Sequence, residues 1–138
     1  MSITSLTPNL LVEDVARSAD FWCGRLGLRF AMGVDSAKGF HQQRPAGAEL
    51  VWAQFVGDGV ELMVQRRDSI TEELPLFAGR PAGGTLTLYV QTDDLDGLRA
   101  RLKDAVPTVK ELGVTFYGMR EWYVSDPDGY VVCLAQKA

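Results

Sequence analysis

One pentapeptide, Asp126-Pro127-Asp128-Gly129-Tyr130, sets the tightest limit on what this chain can fold into. Pro127 fixes its own φ and Gly129 can take a positive φ, so the chain must reverse here. The apolar run from Val131 to Gln136 then makes the reversal one end of a strand hairpin. Asp58-Gly59-Val60-Glu61-Leu62-Met63-Val64 repeats the plan earlier in the chain: an Asp-Gly turn, then an apolar-rich strand. Each hairpin closes a longer block that opens with an extended segment and a helix, so the sequence reads as one module written twice.

The first block predicts a strand over Ile3 to Val12, with Leu6, Pro8, Leu10 and Val12 on one face and Thr7, Asn9 and Leu11 on the other. Asp14 is placed to cap a helix ending at Leu26, whose inward stripe is Val15, Ala19, Trp22 and Leu26, and Gly27 stops it. A strand over Leu28 to Val34, a loop from Asp35 to Ala48 and a hairpin over Glu49 to Val56 and Val60 to Gln65 complete the block. Residues 66–83 are charged, contain Pro75 and Pro81 and lack periodicity, which predicts a linker between a first module over 1–65 and a second over 84–138.

The second block starts over. Thr85 to Gln91 alternates as a strand, Asp94 caps a helix with Leu95, Leu98 and Leu102 on one stripe, and Pro107 prevents its continuation. Strands are expected at Val109 to Leu112, Met119 to Ser125 and Tyr130 to Gln136. The fold class is therefore α+β: two βαβββ modules with mixed sheets curled around a shared cavity, each helix covering one sheet face. The uncovered face carries Thr7, Asn9, Glu61, Met63, Thr87, Tyr89 and Cys133, too polar to bury against a helix, and sheet twist would turn it into a trough.

Composition excludes several classes of function. At 138 residues and 46% hydrophobic content the chain suits one structural domain, or two small halves sharing a core. A formal net charge of −4 argues against a nucleic-acid surface, and no apolar run is long enough to span a membrane. Cys23 and Cys133 lie far apart without metal-type spacing, and no signal segment is evident, so reduced thiols in a cytoplasmic protein are expected.

The sequence resembles the vicinal oxygen chelate superfamily, which groups glyoxalases, extradiol dioxygenases and bleomycin-resistance proteins. The likeness rests on Leu11 to Val15, Ser18 to Trp22, Leu26-Gly27-Leu28, Leu88-Tyr89-Val90, Asp93 to Asp96 and above all Asp126 to Tyr130, in that order along nearly the whole chain. It implies the paired βαβββ fold and, commonly, a homodimer. It also implies a divalent metal held by four inward side chains, whose positions fall on Thr7, Glu61, Thr87 and Cys133. Of these only Glu61 keeps the usual ligand type, and His41, the one histidine, matches none of them. No metal or other cofactor is expected. Thr7-Pro8-Asn9-Leu10 also resembles the opening of bleomycin-resistance proteins, which sequester a drug without altering it.

Individual residues keep alternatives. Glu61 could be a vestigial ligand, a counter-charge for a cationic guest or an exposed strand carboxylate; the second is favoured because a partly shielded charge needs a partner. Phe40, Trp52, Tyr89, Met119 and Trp122 could line the trough or pack a core, and the face used by Trp122 is open. Cys133 is expected as a small buried hydrophobe rather than a nucleophile, and His41 as a loop residue that a mobile loop could bring near a ligand; Arg120 and Glu121 form a surface pair by default, with pairing to a guest's charges as the alternative. The expected function is non-catalytic sequestration of an aromatic or heteroaromatic small molecule such as a bleomycin-type antibiotic, with no catalytic residue. The alternative is a metal-dependent lyase, isomerase or dioxygenase with a non-standard site.

Overall fold

The computed structural model describes residues 2–138. The chain divides into two compact units, one ending at Arg80 and one spanning Pro81–Ala138, and each follows the βαβββ order.

In the first unit, strand β1 (Asn9–Val12) leads into helix α1 (Val15–Ala19), which continues as a π-helical turn over Asp20–Arg25. The Asp14 side chain accepts from the Arg17 amide at 3.2 Å, as its cap position requires. Gly27, at φ 80°, turns the chain out of the helix into β2 (Arg29–Asp35). A two-residue strand β3 (Phe40–His41) lies within the expected loop, followed by β4 (Leu50–Gly57) and β5 (Val60–Arg66). The sheet order is β1-β5-β4-β2-β3, with β1 parallel to β5 and the other pairs antiparallel. Val15, Ala19 and Trp22 are buried on the helix stripe, and Val12, Ala53, Phe55, Leu62 and Val64 are buried on the strands.

The stretch expected as a linker is structured up to Phe77. It holds helix α2 (Arg67–Glu73) and a 3-10 turn over Pro75–Phe77. Ile70 is buried, and Arg67 binds Glu13 at 2.7 Å while donating to the Arg80 carbonyl at 2.7 Å, so these residues belong to the first unit. Charge and proline content alone do not reveal one buried isoleucine and one bridging arginine.

The second unit comprises β6 (Thr87–Gln91), α3 (Leu95–Leu102), β7 (Thr108–Val114), β8 (Met119–Ser125) and β9 (Val131–Lys137), in sheet order β6-β9-β8-β7. The parallel pair is β6 with β9. Asp94 caps α3 by accepting from the Gly97 amide at 3.0 Å. Leu95, Leu102, Trp122, Val124, Val132 and Leu134 form the core on the helix-bearing side.

The Asp-Pro-Asp-Gly turn closes as its residues dictate. Asp126 is buried, and its Oδ1 accepts from the amides of Asp128 at 2.9 Å and Tyr130 at 2.8 Å. Gly129 takes φ 90°, as the reversal requires. Gly83 packs on this turn so closely that a Cβ there would meet the Asp128 carbonyl oxygen at 2.9 Å.

Candidate functional site

Strand parity decides which side chains reach the uncovered sheet faces. In the first unit the register pairs Asn9 with Met63, Met63 with Gln54, Gln54 with Met32, Trp52 with Gln65 and Val56 with Glu61. Asn9, Glu61 and Met63 therefore share one face, the one the sequence assigns to them, and Trp52, whose face the sequence leaves open, joins them. Their polar atoms are largely spent on each other. Asn9 Nδ2 donates to Gln65 Oε1 at 2.9 Å, Gln65 Nε2 donates to Ser69 Oγ at 2.9 Å, and Gln54 Nε2 donates to Glu61 Oε1. Glu61 is exposed. Thr7 precedes β1 rather than lying in it, because Pro8 offers no amide and the ladder begins at Asn9. Phe40, on β3, is 61% exposed. His41 Nε2 lies 2.8 Å from Asp35 Oδ2, an acid that also accepts from the amides of Ala37 and Gly39, so the lone histidine braces its own loop.

The second unit gathers a different set. Its register pairs Thr87 with Val131, Tyr89 with Cys133, Tyr123 with Cys133, Glu121 with Ala135 and Met119 with Lys137. Thr87, Tyr89, Met119, Glu121, Tyr123 and Cys133 therefore share the uncovered face. Glu121 is only 5% exposed. Tyr89, from β6, and Tyr117, from the turn between β7 and β8, each donate a hydroxyl to Glu121 Oε2 at 2.7 Å. The Tyr89 side chain reaches Glu121 across β9, which lies between β6 and β8. Two inter-strand steps amount to about 10 Å, and the crossing succeeds because β9 presents small residues there, Cys133 and Ala135, both fully buried.

The electrostatics follow from these contacts. The Tyr89 hydroxyl, helped by those of Tyr117 and Tyr123, holds the Glu121 carboxyl below the usual carboxylate range, so the acid is ionised at neutral pH. The same bonds push Tyr89 and Tyr117 upward, which keeps both as donors. Tyr123 is pushed up to about 12, first by its hydrogen bond with Cys133. Burial pushes the Cys133 thiol up, so it stays protonated and serves poorly as a nucleophile. Lys110, on β7, holds its ammonium 5.7 Å from the Tyr123 ring centroid. Beside this cluster opens a cavity of about 360 Å³ whose lining includes Lys110, Phe116, Tyr117, Glu121 and Tyr123.

Two expectations are corrected here. Trp122 does not line an uncovered face: it is fully buried on the α3 side, donates from Nε1 to Thr108 Oγ1 at 3.1 Å and lies under the Arg99 guanidinium at 5.9 Å. Met119 and Trp122 have opposite parity on one strand, so both could never face the trough. Arg120 and Glu121 do not pair with each other. As neighbours on a strand they point apart, Arg120 to Asp96 at 2.6 Å and Glu121 into the tyrosines. Sequence reading misses Tyr117 and Tyr123 as site residues and gives Glu121 a guest-pairing role only as the alternative to a surface pair, although the parity that puts Met119 on the uncovered face includes both Glu121 and Tyr123.

The four positions of the resembled metal site do not fit a metal by their donor chemistry. Glu61 is bound by Gln54, Cys133 is held as a thiol, and Thr7 and Thr87 offer neutral hydroxyls. Among the described residues no group of three His, Cys, Asp or Glu side chains could hold a metal ion. Both cysteines are free, and no described helix is long and apolar enough to cross a membrane.

Two units of βαβββ order, each built on a mixed sheet, define an α+β fold class. The chain belongs to the Glyoxalase/Bleomycin resistance protein/Dioxygenase superfamily, whose sequence profile matches residues 3–134. No curated protein matches it. Among solved structures it is similar to a protein of unknown function from Agrobacterium tumefaciens, at 20% identity and TM-score 0.76, covering 100% of this chain and 97% of that one. It is similar to TnmS3, described as an antibiotic binding protein from Streptomyces, at 26% identity and TM-score 0.67, covering 100% and 99% of the two chains. TioX from Micromonospora is similar at 20% identity and TM-score 0.68, covering 98% and 99%.

Proposed function

We propose that this protein binds a planar aromatic or heteroaromatic small molecule, such as a bleomycin-type antibiotic, and releases it chemically unchanged. The observation that carries this reading is the cluster of Tyr89, Tyr117 and Tyr123 around an ionised, nearly buried Glu121, beside an open cavity of about 360 Å³. That volume falls in the range of small-molecule sites, and tyrosines offer flat apolar area with a polar tip. The poor fit of the donor set to a metal favours holding over metal-assisted turnover. Similarity to TnmS3 supports an antibiotic as guest. In this reading the protein works in the cytoplasm as a homodimer, which sedimentation of the purified protein checks.

Equilibrium dialysis against bleomycin-type compounds and planar heterocycles tests the proposal, with mass spectrometry of the recovered guest. A saturable uptake with the guest's mass unchanged is expected. A flat response across the set, or a guest recovered with altered mass, overturns it.

A further inference from the structure

We propose that the Glu121–tyrosine cluster selects guests bearing a positive charge on or beside a flat ring, received in the place now held by the protein's own Lys110 ammonium. The inference rests on the binding role above and adds a charge requirement to it.

Three observations converge. Glu121 is a carboxylate at 5% exposure whose bound hydroxyls keep it ionised without neutralising it, since a phenol donates a hydrogen bond and brings no formal charge. A buried charge of this kind is costly unless a cation stands near it. The titratable groups around it are Tyr89 from β6, Lys110 from β7, Tyr117 from the β7–β8 turn, Tyr123 from β8 itself and Cys133 from β9, and among the described residues Lys110 is the cation acting on it. The Lys110 ammonium stands over the Tyr123 ring at 5.7 Å, the geometry in which a ring face attracts a cation. Lys110 is exposed, on an edge strand and carried on a flexible stem, so another cation can displace it at low cost. A planar cationic ring would supply both what Lys110 supplies, charge toward Glu121, and what Lys110 lacks, a flat apolar surface against Phe116, Tyr117 and Tyr123.

The test compares 9-aminoacridine, cationic at neutral pH, with acridine, a neutral ring of the same frame, by fluorescence titration of wild type, Glu121→Gln and Lys110→Met. Thermal melting by circular dichroism shows that each variant is folded. Wild type is expected to prefer the cation by about tenfold or more, the scale of one charge-assisted contact in a shielded site. Glu121→Gln should bring the two ligands to within about threefold of each other, and Lys110→Met should strengthen the cation by about threefold to tenfold as its internal competitor is removed. A wild-type protein that binds both rings equally, or a folded Glu121→Gln that keeps the preference, overturns the charge requirement while leaving the binding role standing. A Lys110→Met variant that binds the cation more weakly overturns the displacement. Failure of wild type to bind either ring overturns this inference, whereas the binding role is judged by the wider dialysis set.

Discussion

The two units share a backbone plan and register but use it for different chemistry. Through the ladders, Asn9 and Met63 in the first unit occupy the places of Tyr89 and Cys133 in the second, Gln54 that of Tyr123, Trp52 that of Glu121 and Gln65 that of Ala135. The first unit fills β5, the strand between β1 and β4, with long side chains, Met63 and Gln65, and its polar groups close on each other, Asn9 on Gln65 and Gln65 on Ser69. The second places Cys133 and Ala135 there, and the room they leave lets the Tyr89 hydroxyl cross a strand to reach Glu121. Side-chain volume on one strand thus decides whether a polar face satisfies itself or builds a cage around a charge.

The sharpest break of this comparison sets Trp122 against Trp52. Trp122→Ala should cost about 3–5 kcal/mol, the scale for emptying a core site, whereas Trp52→Ala, half-buried on an uncovered face, should cost less than half as much. Urea denaturation of both variants measures this, and equal costs would mean that the first unit's uncovered face is as much a core as the second unit's helix side.

The turns come next. Asp126→Ala leaves the part-buried amide of Asp128 and the buried amide of Tyr130 without their side-chain acceptor and should cost about 1–3 kcal/mol. Asp58→Ala alters an exposed residue in the echoing turn and should stay within about 0.5 kcal/mol. Comparable losses in thermal melts would remove the distinction between a turn that holds its unit and one that only connects strands.

A titration sharpens the account of the cage. Because the folded Glu121 carboxyl lies below its unfolded value, its ionisation contributes stability above that unfolded value, about 4.3 for glutamate, and loses it as pH falls through the folded value. Tyr89→Phe removes the leading hydroxyl, so the carboxyl should titrate at higher pH and acid destabilisation should begin earlier. Carbon-13 NMR of the Glu121 carboxyl reads this directly, with Lys110, Tyr117, Tyr123 and Cys133 still facing it. An unmoved titration would show that Tyr89 does not hold the charge. The smallest effect should come from Gln54→Ala, whose partner Glu61 is exposed, with a stability change within about 0.5 kcal/mol in the same denaturation assay.

Much of the fold was legible because its signals are local. Asp14 and Asp94 cap their helices, Gly27 and Gly129 take positive φ, and the stripe of Val15, Ala19 and Trp22 is buried. Alternation also placed Asn9, Glu61, Met63, Thr87 and Tyr89 on uncovered faces. Where reading failed, the deciding term was non-local. Residues 66–83 looked like a linker because the Arg67–Glu13 pair joins positions far apart in sequence. Trp122 could not be oriented from its own strand because both parities of Met119 to Ser125 include large apolar residues, and only α3 covering one face settles it.

By itself the sequence determined that two similar βαβββ units form, where each turn reverses and that the histidine-and-glutamate donors of the resembled metal site are mostly replaced. These are properties of φ preferences, alternation and residue identity, which act over a few positions. Only the tertiary structure decided that Glu121 lies nearly buried among tyrosines, since that contact needs β6 laid beside β9 and β9 beside β8, with small side chains between. A hydroxyl and a carboxylate 32 positions apart meet through strand order, and no local preference encodes strand order.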